Sequence, residues 1–429
     1  MKFVLTVIIT MICGSASYSQ TSEAAGEFSE GRSFELIGRD LSFGIVHMSQ
    51  SDEFAANGPT FGLGVAAKIG KIENSDIYLE WNSTFARGTD NSSDTRYQGS
   101  DPLVFAAGTS PVGTIDLSTA IDALGASSDA TAQIINSTGD TAMIVSSAFS
   151  PSAPDTAVSQ FALSQTMSGG IFAALSTNGE TGLASAYGTI FDDTGFVFLG
   201  TGEDAGTAIR SSFTDKISYV SHSLFLSAGF PIDDRWTLTP RIGPTYRSFD
   251  RTSKASTIID INEGFDLAPP VPDINLSETI SLESTYLGAI LGATVSGRIR
   301  DDWQLSIGAE AGLANFDAEA DSLEGVRIAN VQTSISGRNL TLDGTSGIGR
   351  LSAGLTHVGP GGAIISLNAF VDYMSDVPYV AAETIAAPTV AADGTTTSFE
   401  GTGQTYRTHS MKQKEMISSG ISLSVVVLF

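Results

Sequence analysis

The chain has 429 residues with 22 Lys+Arg against 47 Asp+Glu, a formal net charge of −25. That charge argues against nucleic acid as a partner, because phosphates would be repelled. Mean hydropathy is slightly positive at +0.12, yet no later stretch reaches the roughly 18 consecutive apolar residues of a membrane helix, the pattern that alternating strands produce.

At the N-terminus, Met1-Lys2 is a short positive region and Phe3 to Cys13 an apolar core. That core is too short for a bilayer-spanning helix and suits a secretory signal. Small residues follow over Gly14 to Ser19. We expect a signal peptide over 1–19, cleaved after Ser19, with Ala16 and Ser17 as alternatives. Cys13 is the only cysteine, so the mature chain forms no disulfides. Ile12 stands before it where a lipoprotein signal carries a small residue. Residues 20–33 are expected to form a periplasmic N-terminal segment.

Period-two alternation then predicts ten strands. They cover about 34–48, 59–70, 75–87, 215–230, 235–250, 281–299, 303–317, 346–358, 362–374 and 412–429. Each has one apolar face, such as Leu41, Phe43 and Ile45 in the first and Leu287, Leu291 and Val295 in the sixth. The links alternate in length. Lys71–Asn74, Ile232–Arg235, Arg300–Asp302 and Gly359–Gly362 are short; 49–58, 88–214, 251–280, 318–345 and 375–411 are long. Tight turns at one end and long loops at the other are the asymmetry of up-and-down membrane barrels.

Asp233-Asp234-Arg235-Trp236 is echoed by Asp301-Asp302-Trp303, and Trp236 precedes Phe249 by the spacing at which Trp303 precedes Phe316. The repeat points to hairpin architecture, with each Trp at a membrane interface. Residues 88–214 are long for a loop. Thr114 to Ile135 reads as a short helix, while 161–175 and 184–199 contain strand-like patches. A folded or partly disordered extracellular loop is the favoured reading; a plug in the lumen and two further strands are the alternatives.

The last strand carries Ile421, Leu423, Val425, Val427 and Phe429 on one face and Ser422 and Ser424 on the other. An apolar strand ending there would be an unprotected edge unless it paired within a closed barrel. Here the chain resembles the outer-membrane β-barrel proteins of Gram-negative bacteria, whose C-terminal strand typically ends in Phe and is read by the barrel-insertion machinery. The expected fold is all-β: a transmembrane antiparallel up-and-down barrel over 34–429, of ten strands or alternatively twelve, with both termini periplasmic and 88–214 inserted. The resemblance implies an outer-membrane location, with outer-membrane lipid, lipopolysaccharide and the insertion machinery as partners. The acidity suits a surface whose lipopolysaccharide is cross-linked by divalent cations, although acidic loops that keep the chain soluble explain it more simply.

With the apolar faces toward lipid, Asp40, Lys68, Glu80, Arg241, Arg247, Arg298, Glu310, Arg350 and Asp372 face inward. A ten-stranded barrel has little free width, so we expect a lumen network of Arg–carboxylate pairs, with a narrow polar conduit as alternative. Trp236, Trp303 and Phe429 are the expected interface aromatics.

Ten-stranded barrels include the omptin proteases, which combine an Asp pair and a His–Asp pair at the extracellular rim. Of the four histidines, His357 lies by a short turn and His222 mid-strand. His47 and His409 fall near the long-loop ends of the first and last strands, with Asp52, Glu53 and Glu415 close in sequence. No omptin-like motif, G-x-S-x-G or H-E-x-x-H is present, and nothing near His222 completes a triad. We expect no catalysis, cofactor or metal. The expected function is surface binding, or passage of a small solute through a narrow or gated lumen, with a rim hydrolase as the competing class.

Overall fold

The computed structural model describes residues 35–427 except 52, 73–74, 98–101, 122–127, 150–156, 165–168, 178–181, 203–206, 261–269, 301, 330, 336, 360–363 and 394–395. The expected signal over 1–19, the segment 20–33 and Phe429 lie outside the described residues.

Ten long strands dominate. They are β1 (Glu35–Gln50), β2 (Phe54–Ile72), β3 (Ser75–Tyr97), β4 (Ala208–Ala228), β5 (Trp236–Asp260), β6 (Ile274–Arg300), β7 (Trp303–Ile328), β8 (Asn339–Val358), β9 (Ile364–Thr384) and β10 (Arg407–Val427). Each pairs antiparallel with the next. β1 also pairs with β10, from Arg39 opposite Val427 to Gln50 opposite Met416. The ladder of pairings therefore returns to its start, so each of these ten strands has a partner on both sides over much of its length, the arrangement that satisfies backbone groups without water.

The strands run well past their sequence-predicted ends, always at the long-loop end. β6 begins at Ile274 rather than 281 and β7 continues to Ile328 rather than 317. The link between β1 and β2 shrinks to 51–53. The reason is a change of phase. Leu305, Ile307 and Leu313 of β7 point outward, but farther along Asp317, Glu319 and Asp321 point outward while Phe316, Ala318 and Ala320 are buried inside. β6 changes in the same way, from outward Leu287 and Leu291 to inward Leu282 and Tyr286. A strand keeps its alternation through such a switch, but the apolar residues change sides.

The insertion is folded, and its strands do not join the ring. Leu103–Gly108, Gly195–Gly202, Gly182–Phe191, Gly169–Thr177 and Ala157–Ser164 form one five-stranded sheet in that order. Gly113–Ile121, Ser128–Ile135 and Thr141–Phe149 form another, completed by Val390–Ala392 and Thr396–Gly401 from the last long link. The helix expected over Thr114 to Ile135 is thus a pair of strands, with Ile115 opposite Ile134. Ile115 and Leu117 are fully buried two residues apart, a strand period rather than a helical one. The two sheets enclose a core of Ile115, Leu117, Ala132, Val197, Leu199 and Phe399, so this head is a β-sandwich. The other face of its first sheet, through Tyr187, Phe196 and Phe198, packs on Ile259, Ile274, Val326 and Ile328 at the long-loop ends of β5, β6 and β7.

Candidate functional site

Nearest the short turns the interior is polar and charged. Arg241 of β5 pairs with Glu310 of β7, and both are buried. Glu80 accepts a hydrogen bond from Ser227. Nε of Arg350 lies 3.4 Å from Asp372 Oδ1. Two of these guanidiniums also rest on aromatic rings, Arg241 at 5.0 Å from the centre of Phe225 and Arg350 at 4.9 Å from Phe370. Arg241, Glu310, Arg350 and Phe370, together with Asn82, Asn368 and Ser422, line a cavity of about 100 Å³. Asp40 and Arg247 are buried in the same interior. Lys68 and Arg298 stand apart. Lys68 binds Asp76 at 2.8 Å beside the first short turn, and Arg298 is exposed at the end of β6. Both belong to turn-proximal strand ends, where side chains reach water.

Above this lies an apolar layer that the outward-facing register did not reveal. Met48, Phe54, Phe249, Tyr286, Phe316, Met374 and Met416 converge in the middle of the ring. Phe54 of β2 stacks on Phe249 of β5 at 6.0 Å, and Tyr286 meets Phe316 at 5.4 Å. The Asp–Trp repeat supplies Phe249 and Phe316: the odd spacing from each outward Trp turns each Phe inward. Gly344 is needed opposite, because a Cβ there would lie 2.8 Å from Phe316 Cζ.

A second polar level follows toward the head. Arg251 Nε donates to both Asp215 oxygens at 3.0 Å, its Nη2 reaches Glu53 O at 3.0 Å, and Ser253 donates to Asp215 Oδ1 at 2.7 Å. His409 of β10 is buried between two carboxylates. Its Nε2 is 2.6 Å from Glu278 Oε1 and its Nδ1 is 4.0 Å from Glu324 Oε1. Arg407 holds the other oxygen of Glu278 at 3.2 Å. Burial opposes the charge on Glu278, yet the hydrogen bond from His409 and the charge of Arg407 together keep its carboxyl below the usual glutamate range. Glu324 shifts the other way: burial raises it, and the charge of Glu278 adds to the rise. Glu53, Arg251, Glu278 and Arg407, with Leu282 and Val380, line a chamber of about 290 Å³.

The histidines separate. His47 is exposed on the outer face, bonded to Asn57 at 2.9 Å, and lies opposite Ser419 rather than near His409. β10 extends beyond β1, and His409 lies opposite Ala382 of β9. His222 faces outward, stacked between Trp81 and Tyr246, with Nδ1 2.8 Å from Ser83 Oγ. Ser83 is 1% exposed. The His357 ring lies tilted against that of Trp303 at 4.8 Å beside the third short turn. Glu278 and Glu324 were missed because the predicted strands stopped before them; inward phase on a continued strand is the signal that places both inside. Trp236 opens β5 over Gly297, where a Cβ would lie 2.2 Å from the indole.

No family model matches the chain, and no curated protein matches it. Among solved structures it is similar to the outer-membrane protease OmpT of Escherichia coli, at 8% identity over 93% of this chain and 99% of that one, with a TM-score of 0.35. It is also similar to a Pseudomonas aeruginosa FadL homologue, at 9% identity over 92% and 90% of the two chains with a TM-score of 0.19. The toluene transporter TodX of P. putida gives 9% identity over 91% and 90%, with a TM-score of 0.21. At such TM-scores no argument about this chain rests on these structures.

Proposed function

We propose that the ring of ten strands is a closed barrel integral to the outer membrane, with its short turns in the periplasm and its β-sandwich head at the cell surface. The outward band supports this. Phe43, Ile45, Leu287, Leu291, Leu313 and Leu351 are all more than half exposed, a surface that favours lipid over water. Outward residues beyond that band include Glu283, Asp317, Glu319 and Asp343, as expected where strands rise above the membrane. On this reading outer-membrane lipid and lipopolysaccharide surround the barrel, and the C-terminal strand addresses it to the insertion machinery.

The function we propose is non-enzymatic surface binding through the head, on a barrel that carries no open conduit. The single observation behind it is the apolar layer of Met48, Phe54, Phe249, Tyr286, Phe316, Met374 and Met416 that fills the mid-section. Water and ions do not cross a packed apolar layer of that kind without its opening. Planar-bilayer recording on the full chain tests this. We expect no steady conductance from the native protein, and channels once Phe249, Phe316 and Met374 are all changed to Ala. Steady conductance of the native protein would overturn the closed reading and restore the conduit.

A further inference from the structure

We propose that Glu278, Glu324 and His409 form a binding site for a divalent transition-metal ion such as Zn²⁺. One ligand atom from each of the three lies within 4.8 Å of the others. The donor set, one imidazole nitrogen and two carboxylate oxygens, is that of Zn²⁺ or Mn²⁺ rather than of Mg²⁺, which prefers oxygen and water.

The side chains are held as ligands would be. The His409 side chain is 6% exposed and comes from β10, while the glutamates come from β6 and β7. Arg407 binds Glu278 through Oε2 and leaves Oε1 turned to His409. A carboxylate fixed on its far oxygen by an outer partner is the usual support of a metal ligand. Glu324 Oε2 is buried with no hydrogen-bond partner. A buried carboxylate oxygen is costly to leave unpaired. An ion entering here would replace the hydrogen bond between His409 and Glu278, draw Glu324 in as third ligand, and leave a fourth tetrahedral position for water or another ligand. Glu278 and Arg407 also line the 290 Å³ chamber, so the ion would sit at its wall. The inference rests on the side chains of three strands and does not depend on whether the barrel conducts.

The test is calorimetric titration of the full, detergent-solubilised and chelator-stripped protein with ZnCl₂, together with Co²⁺ substitution read by its visible ligand-field bands. We expect one Zn²⁺ per chain, Co²⁺ bands that Zn²⁺ abolishes, and at least tenfold weaker binding in Glu324→Gln. Glu319→Gln, an exposed carboxylate on the same strand, should bind as the native protein does. Far-UV circular dichroism checks that each variant is folded; should Glu324→Gln not fold, Glu324→Asp, which keeps the carboxylate but shortens its reach, takes its place with the same expectation. Absence of stoichiometric Zn²⁺ binding by the folded native protein would overturn the site. So would unchanged binding in the folded Glu324 variant.

Discussion

His409 and Glu278 are joined at 2.6 Å although 131 residues separate them and their strands, β10 and β6, are not paired. The contact crosses the interior of the ring. With Arg407 it holds the Glu278 carboxylate against the penalty of burial. A carboxyl lowered in the folded state stabilises the fold above the ordinary glutamate range, and that contribution is lost as the pH falls through the lowered value. Glu278→Gln should therefore cost about 1–3 kcal/mol at pH 7 and much less near pH 3. Urea midpoints of the solubilised protein at both pH values measure the difference; an equal loss at both would remove Glu278 from this role.

Glu324 should behave with the opposite sign. Its carboxyl is raised by burial and by Glu278, so its favourable contribution is present in acid and disappears as the pH rises through the raised value. In metal-free protein Glu324→Gln should raise the unfolding midpoint at pH 7 and leave it nearly unchanged at pH 4. A variant less stable than native at pH 7 would contradict the burial account.

Phe249 is fully buried and stacks on Phe54 across the ring. Phe249→Ala should cost about 3–5 kcal/mol, because the surrounding strands cannot collapse into the space. A loss below about 1 kcal/mol would mean that the apolar layer is loosely packed.

The height of the membrane can be located along one strand. Leu287 is 67% exposed and lies in the outward apolar band, whereas Thr285 is the next outward residue toward the head. Leu291→Arg, deeper in that band, should reduce barrel stability in lipid by about 2–4 kcal/mol, as an Arg near the midplane does, and Leu287→Arg by less. Thr285→Arg should cost little. Equal costs, read from unfolding in liposomes, would place the boundary elsewhere.

The head depends on a segment far away in sequence. Thr396–Gly401 pairs with Gly113–Ile121 and contributes the buried Phe399. Phe399→Ala should loosen the sandwich around Ile115 and Leu117 while the ten-strand ring persists. Limited proteolysis should then cut within 102–202 at protease concentrations that leave the native head intact. Simultaneous loss of the ring would show that head and ring unfold as one unit.

The outward face was legible in the sequence. Phe43 and Ile45, Leu287 and Leu291, and Leu305 and Ile307 announce their side by simple alternation, and the short links mark where adjacent strands turn. The same parity put Arg241, Glu310, Arg350 and Asp372 on the inner face without saying which would meet. The long ends of the strands were not read because alternation was followed in one phase only. At Phe316 and Leu282 the apolar residues move to the inner face, and the pattern resembles the end of a strand. The sandwich was hidden for another reason: its second sheet is completed by 390–401, and nothing local in Gly113–Ile121 names that partner.

The sequence by itself determined which side of each strand meets an apolar surround, because successive side chains alternate across a strand whatever lies beyond it. It also determined the hairpin order, since short links admit only antiparallel neighbours. Only the tertiary structure decided what fills the interior: that Phe54 meets Phe249, that Arg251 takes Asp215, and that His409 reaches Glu278 and Glu324. Those meetings depend on the tilt and stagger of strands around a ring. Tilt and stagger are properties of the whole closed sheet, and no single strand carries them in its own residues.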